Sequence, residues 1–471
     1  GWMLGIESIF LLLPALTAVI YGEPELPAYL IAAAISLAGA ALLCHRKPKN
    51  TRFYAREGYV TVALCWLILA VIGALPFVLS REIPFFIDAL FETVSGFTTT
   101  GATILGDVEA LSHASMLWRC LTHWVGGMGV LVFMLIVLPL AGGQTIFLMR
   151  AESPGPSVSK MSPRMRDTAT ILYAIYFGLT VLQMILLLIG GMPFFDAICV
   201  SLGTAGTGGF GNWNDSIAHY NSAYLQNVIT VFMILFGINF SAYFLILTRK
   251  FRQAFRIEEI RVYLGVIFVF AGLIAFNVRP MFGSLRESFH HALFQVASII
   301  TTTGFSTVDF DQWPTFSRAL LVLLMFIGAC AGSTGGGIKC SRILLLGKSV
   351  KKELMCLIHP RLVRVNKMDG QRVPHEVMRS INVFVVAYAF IFILSLLIIS
   401  LNCEDLVTCF TSVATTLNNV GPGLSLCGPT CNFGFFPPLS KGVLIFDMLA
   451  GRLELFPMLL LFTPGTWQRN K

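Results

Sequence analysis

Long apolar stretches separated by short polar ones run the whole length of the chain. Trp2–Tyr21 and Leu26–Cys44 each have about the 20 residues that a helix needs to cross a membrane. The acidic turn Gly22–Glu25 joins them. Gly58–Leu79, Ser115–Leu138, Thr168–Ile189, Tyr224–Thr248, Val262–Val278, Ser380–Leu401 and Gly442–Phe462 read as further spans. Phe316–Ile327 opens another, which is interrupted at 328–337 and resumed over Ile338–Leu346. Four intervening segments, Asp88–Phe97, Asp196–Gly203, Glu287–Ile300 and Glu404–Thr416, are too short to span. They read as re-entrant half-helices, so the order span, half-helix, span is expected four times.

Each half-helix runs into a short polar strip centred on glycine. The strips are Phe97-Thr98-Thr99-Thr100-Gly101-Ala102-Thr103, Thr204-Ala205-Gly206-Thr207-Gly208-Gly209-Phe210, Thr301-Thr302-Thr303-Gly304-Phe305-Ser306 and Ala414 through Gly423. Their key glycines, Gly101, Gly209, Gly304 and Gly421, lie 108, 95 and 117 residues apart, the mark of an internal repeat. In the first three copies, Asp88, Asp196 and His291 stand 13 residues before the glycine. In the fourth, Glu404 and Asp405 stand 17 and 16 before it, about a turn further back. An acidic residue there suits a helix N-terminus. Glycine lets the backbone bring carbonyls close to a ligand. Four such strips around an axis would form rings of carbonyl oxygens able to replace a cation's hydration shell.

The expected fold is an all-α integral membrane protein. Four tandem helix–half-helix–helix repeats surround a central pore, with two extra N-terminal transmembrane helices. The segments are 1–57 for the N-terminal pair, then 58–167, 168–261, 262–379 and 380–471 for the repeats. Non-helical backbone at membrane depth is tolerated only where it is buried in protein or lines a water-filled path.

Composition agrees. The chain is 56% hydrophobic and 12% charged, about half the charge of a soluble domain, with a mean hydropathy of +0.76. No large soluble domain fits, no cleavable signal pattern opens the chain, and a start at Gly1 instead of Met is read as slight trimming. The net charge of +8 matters less than its placement. Of the 33 Lys and Arg, 26 fall in 46–56, 150–166, 249–261, 339–379 and 469–471. The positive-inside rule makes these regions cytoplasmic, with both termini inside. Arg81, Arg279, Arg286, Arg318 and Lys441 are left to the outer loops, and Arg119 and Arg452 to the spans. Basic residues in short loops between spans exclude nucleic acid as a partner and leave membrane lipid as one. The stretch 251–260 is expected to lie as an amphipathic helix on the membrane surface. Gly347–Arg379 is the longest inner loop, with turns at His359–Arg361 and Asp369–Arg372.

Gly328, Gly332, Gly335, Gly336 and Gly337 fall within one span, where each costs a helix about 1 kcal/mol relative to Ala. The reading is a broken helix whose flexible loop, with Gly332, Ser333, Thr334, Gly335, Gly336 and Gly337, crosses the permeation path. A centred Arg normally faces a cavity or partner. Arg452 is expected to face the pore and donate to carbonyls of that loop, adding an electrostatic barrier, while Glu454 points away from it. Lys339 is expected to snorkel to the interface. His113 reads as a loop residue and His123 as an ordinary packed side chain. Cys427 and Cys431 bracket an outer turn, either as a disulfide or as free thiols. No nucleophile–base pair, paired intramembrane carboxylates or His-x-x-x-His argues for an enzyme. The remaining alternative is a secondary transporter of another cation or small solute, Na+-coupled, but that architecture favours inverted repeats, whereas these all run in one sense.

Thr98–Thr103, Ala331–Gly337, Leu417–Gly423 and Gly451-Arg452-Leu453-Glu454 together resemble the membrane subunit of Trk-type potassium uptake systems, the TrkH/TrkG branch of the Trk/Ktr/HKT superfamily. The resemblance covers almost the whole chain, including the N-terminal helix pair. It implies potassium uptake in the bacterial cytoplasmic (inner) membrane, with K+ the transported ion and no organic cofactor in this chain. The filter would comprise Thr98, Thr99, Thr100, Gly101, Thr207, Gly208, Gly209, Thr302, Thr303, Gly304, Asn418, Asn419, Val420 and Gly421. K+ would be held at Thr99, Thr100, Gly208, Gly209, Thr302, Thr303, Asn419 and Val420. The loop would be the gate, with Arg452 beside it. A homodimer and a cytosolic TrkA-like regulatory ring binding NAD(H) or ATP are implied as assembly. The second strip, with its extra small residues, departs most and leaves its register open.

Overall fold

The computed structural model describes residues 1–45, 55–127, 129, 165–361 and 365–468. The second half of the span expected at Ser115–Leu138, most of the basic stretches 46–56 and 150–166, and the tail 469–471 lie outside them.

An antiparallel helix pair, α1 (Trp2–Tyr21) and α2 (Leu26–His45), precedes the repeats, turning at Gly22 in the left-handed region (φ 68°). It is bolted to the first repeat by polar contacts. The Glu23 carboxylate accepts from His113 N–H at 2.7 Å and Ala114 N–H at 3.0 Å, and Tyr29 OH lies 2.8 Å from Ser115 Oγ. The acidic turn therefore caps a helix of the first repeat.

Repeat one is α3 (Ala55–Ser80), half-helix α4 (Phe86–Phe97) and α5 (His113–Gly127). Repeat two is α6 (Met165–Ile189), half-helix α7 (Phe194–Gly206), α8 (Ala223–Phe236) and α9 (Phe240–Leu247), followed by the single turn α10 (Phe251–Ala254). Repeat three is α11 (Glu258–Val278), half-helix α12 (Leu285–Ile300), α13 (Thr315–Ile327) and α14 (Cys340–Ile358). A two-residue hairpin, β1 (Lys367–Met368) and β2 (Gln371–Arg372), turns at Asp369-Gly370. Repeat four is α15 (His375–Ile399), half-helix α16 (Leu406–Leu417), α17 (Pro438–Arg452) and α18 (Phe456–Phe462). Among the described residues six helices are long and apolar enough to cross a membrane, or seven if α8 and α9 count as one bent span.

More than half of each half-helix is buried, and their strips, from Thr98 to Thr100 and from Thr301 to Thr303, are fully enclosed. The outer helices turn large apolar side chains outward, Leu42, Phe276 and Val386 among them. In lipid that costs nothing, because the solvent is itself apolar, and it is the backbone that must be satisfied internally.

Four expectations need correction. Tyr224–Thr248 is not one helix: α8 and α9 meet at 91° across Gly237–Asn239. A Cβ on Gly237 would lie 2.3 Å from the Tyr263 hydroxyl, and Asn239 caps the new helix by accepting from Ser241 N–H at 2.8 Å. Gly442–Phe462 is broken too, at Leu453–Leu455, where Glu454 and Leu455 take φ of 56° and 67°. The amphipathic surface helix at 251–260 reduces to α10, because α11 already begins at Glu258. Nor does Lys441 lie in an outer loop: it is buried in the first turn of α17 and pairs with Asp88 at 2.5 Å, joining repeats four and one.

Candidate functional site

All four half-helices end in the same way. Thr100 N–H bonds Ser95 O at 2.9 Å, Gly208 bonds Gly203 at 2.9 Å, Thr303 bonds Ser298 at 2.8 Å and Val420 bonds Thr415 at 2.8 Å. In each case the residue before the donor bonds back three positions, which completes a Schellman termination. That residue must be left-handed. It is Thr99 (φ 55°), Thr207 (55°), Thr302 (59°) or Asn419 (55°). A β-branched residue there is an outlier, and strain of this kind persists at functional sites where the surroundings enforce it.

The shared geometry settles the register. Thr99, Thr207, Thr302 and Asn419 are equivalent; so are Thr100, Gly208, Thr303 and Val420; so are Gly101, Gly209, Gly304 and Gly421, at φ of 79°, 82°, 85° and 100°. The expected pair Gly208 and Gly209 is therefore one residue out of step with Thr99 and Thr100, whose counterparts are Thr207 and Gly208. The extra small residues leave that register open in the sequence, and the backbone termination sets it.

The strips meet in a ring. A Cβ on Gly101 would lie 1.9 Å from Gly208 O, one on Gly209 2.0 Å from Thr303 O, one on Gly304 2.5 Å from Val420 O, and one on Gly421 2.7 Å from Thr100 O. The contacts run one to two to three to four and back to one, so four backbone strips close around one axis with no charged side chain among them. The half-helices end at this ring, bringing the negative ends of four helix dipoles to it. On its far side a cavity of about 120 Å³ is lined by all four glycines.

Hydroxyls reinforce opposite strips alike. Thr98 Oγ1 donates to Val94 O and Thr301 Oγ1 to Ala297 O, both at 2.6 Å, and each lies 2.8 Å from the hydroxyl two residues on. In the fourth strip Asn419 Nδ2 donates to Thr100 Oγ1 and Met448 O, each at 2.9 Å.

The loop 328–337 passes directly beneath the ring. Gly336 N–H donates to Thr302 Oγ1 at 2.6 Å, and Gly337 N–H donates to Asn418 O at 2.9 Å. A Cβ on Gly336 would stand 2.4 Å from Asn418 O, so glycine is required by that approach. The loop also grips the break of repeat two: Cys330 N–H donates to Gly237 O at 3.1 Å, and Phe240 N–H donates to Gly332 O at 3.0 Å. Arg452 donates to Thr334 O and Gly127 O, each at 2.8 Å, and also to Gly126 O. It therefore holds the loop as expected and reaches repeat one as well. Glu454 turns away and pairs with Arg342. Lys339 does not snorkel outward; its ammonium folds back onto Gly335 O.

Several residues that position the strips were not singled out in the sequence. Arg119 and Glu92, 2% and 0% exposed, pair at 2.8 Å. Glu92 also accepts from Thr103 Oγ1 and Ile104 N–H at 3.0 Å, fixing the outer end of strip one. The Arg119 guanidinium lies 4.1 Å from the centre of the Phe210 ring, at the end of strip two. His123, read as ordinary packing, spans the same two repeats. Its Nδ1 lies 2.8 Å from Gly96 O, and Nε2 accepts from Phe210 N–H at 3.2 Å, which sets the proton on Nδ1. An intramembrane charge such as Arg119 was a usable signal; the role of His123 had none. The expected loop residue His113 stands at the start of α5 beside Glu23. Cys427 is a buried thiol and Cys431 an exposed one.

A family profile described as TrkH, cation transport protein, matches residues 27–468. The Trk system potassium uptake proteins TrkH of Salmonella typhimurium and Escherichia coli K12 are each 39% identical over 99% of this chain and 98% of their own. The crystal structure of the potassium transporter TrkH from Vibrio parahaemolyticus superposes with a TM-score of 0.89 at 33% identity, covering 99% of this chain and 98% of that one.

Proposed function

This chain belongs to the TrkH family of cation transport proteins, and from that premise we propose that it takes up potassium through the ring of four strips. The family is one of transport proteins, so the chain is an integral membrane transporter and not an enzyme. The observation that carries the reading is the closed ring, in one register, of Thr100, Gly208, Thr303 and Val420 against the four glycines. Carbonyl oxygens at that level and at Thr99, Thr207, Thr302 and Asn419 take the place of water around K+. Uncharged ligands hold the ion and still release it. The crossing loop, pinned by Arg452 below the ring, is the gate, and opening requires Arg452 and the 328–337 segment to withdraw from each other. The chain lies in the bacterial inner membrane with both termini in the cytoplasm. It works as a homodimer under a cytosolic nucleotide-binding ring of the TrkA kind. Support for that orientation comes from the clustering of basic residues on one side. The same chain sense in all four repeats favours this reading over a secondary transporter for another solute.

The test is tracer flux into liposomes carrying the purified protein, comparing K+, Rb+, Na+ and Li+. K+ and Rb+ are expected to pass well ahead of Na+ and Li+. Absence of cation flux from folded protein, with Arg452→Ala equally silent, would overturn the reading.

A further inference from the structure

Glu259 stands in the first turn of α11, almost wholly buried, outside the ring and outside the loop. Its Oε1 accepts two backbone N–H groups, Ala331 at 2.7 Å and Ser341 at 3.0 Å. These residues bracket the crossing segment. Ala331 immediately precedes Gly332, and Ser341 lies in the first turn of α14, where the helix resumes. One carboxylate oxygen therefore draws together Ala331 and Ser341, on either side of the glycine-rich run 332–337. The position suits an anion, because the N-terminal turns of α11 and α14 converge on it, and charge-assisted bonds to backbone N–H are among the stronger ones available.

The neighbouring residue looks the other way. Glu258 N–H donates to Asp369 Oδ1 at 2.7 Å, in the turn of the β1–β2 hairpin. The Glu258 carboxylate pairs with Lys348 of α14, and Lys348 also donates to Lys367 O of the hairpin at 2.8 Å. Successive residues of one helix turn thus hold the hairpin and the loop.

We propose that Glu259 is a positioning residue that clasps the two ends of the 331–341 segment and passes movements of the hairpin surface to it. This rests on the reading of that loop as the gate. Displacing α11 at its first turn, by force applied at the hairpin, would pull the shared acceptor from Ala331 and Ser341 together. Both ends of the loop are then released in one event.

Two measurements on the full-length protein in detergent and in liposomes test it, using Glu259→Ala and Glu259→Gln. Backbone hydrogen exchange over 328–341 should speed up about tenfold or more in Glu259→Ala, the scale set by losing a charged acceptor for buried N–H groups. Rb+ flux should rise several-fold with the Rb+/Na+ ratio unchanged, since the ring itself is untouched. Glu259→Gln keeps an acceptor oxygen but not its charge and should fall between wild type and alanine in both. Unchanged exchange in Glu259→Ala would overturn the proposal. So would faster exchange with flux still at the wild-type level while Arg452→Ala passes Rb+, an altered ion ratio, or a glutamine variant indistinguishable from alanine. If exchange responds as expected while no protein, Arg452→Ala included, passes Rb+, the clasp stands and the transport reading falls.

Discussion

Arg452 of the fourth repeat donates to Thr334 O in the third at 2.8 Å, and the same guanidinium reaches Gly127 O of the first at 2.8 Å. A helix that would carry it past the loop stops at Arg452 itself. Gly451 presses so closely on the end of α16 that a Cβ there would lie 2.1 Å from Leu417 O. Arg452→Ala should therefore free the loop and raise resting K+ flux several-fold with ion preference intact. Arg452→Lys, a point charge without the planar fork, should fall between the two. Liposome flux measures both, and flux unchanged or lowered in a well-folded alanine variant would contradict the arrangement.

Gly304→Ser places a side chain where a Cβ alone would lie 2.5 Å from Val420 O, at a φ of 85°. The ring must open on one side. The variant is expected to lose most of its preference for K+ over Na+, read as the ratio of Rb+ to Na+ uptake. Retained preference would remove strip three from the ion path.

Glu92 and Arg119 are a buried pair, so removing one partner strands the other. Glu92→Ala or Arg119→Ala should each cost about 3–5 kcal/mol, and the double variant less than the sum of the two. Thermal unfolding in detergent supplies the comparison. Strictly additive losses would mean that the two charges do not depend on one another.

Cys431 is exposed and Cys427 buried, both as thiols. A membrane-impermeant maleimide should label Cys431 from the side opposite the basic loops and leave Cys427 unlabelled until the protein is denatured. Prior treatment with reductant should change neither result. Labelling that appears only after reduction would establish a disulfide.

Much of this was legible in the chain. Spans, half-helices and strips follow from length and polarity, because the bilayer dictates both. The break at 328–337 was visible because its glycines are crowded together. The break at Gly237–Asn239 was not, since a single glycine with one ordinary polar residue two positions on fits a helix, and only the crossing loop and the Tyr263 hydroxyl make it a corner. The break at Leu453–Leu455 is hidden more completely, because two ordinary residues take left-handed backbone under tertiary constraint. Arg452 announced itself as a charge in a span. Glu259 sits at the start of a span, where an acidic residue is unexceptional, and His123 resembles any packed imidazole. Their roles depend on residues about 30 to 90 positions away, a relation that periodicity does not encode.

The ring is written once in each quarter of a single chain. In an assembly of four identical subunits one substitution would appear at four corners together. Here each corner carries its own letters: Thr-Thr-Gly twice, Thr-Gly-Gly once and Asn-Val-Gly once. The first and third corners keep the same hydroxyl arrangement, whereas the fourth inserts a carboxamide. Inheritance can therefore adjust one quadrant while three stay fixed, so changes of preference can accumulate in small steps. If the ring selects the ion as proposed, a chain built this way is free to drift between ions by degrees, along routes closed to a strictly symmetric pore.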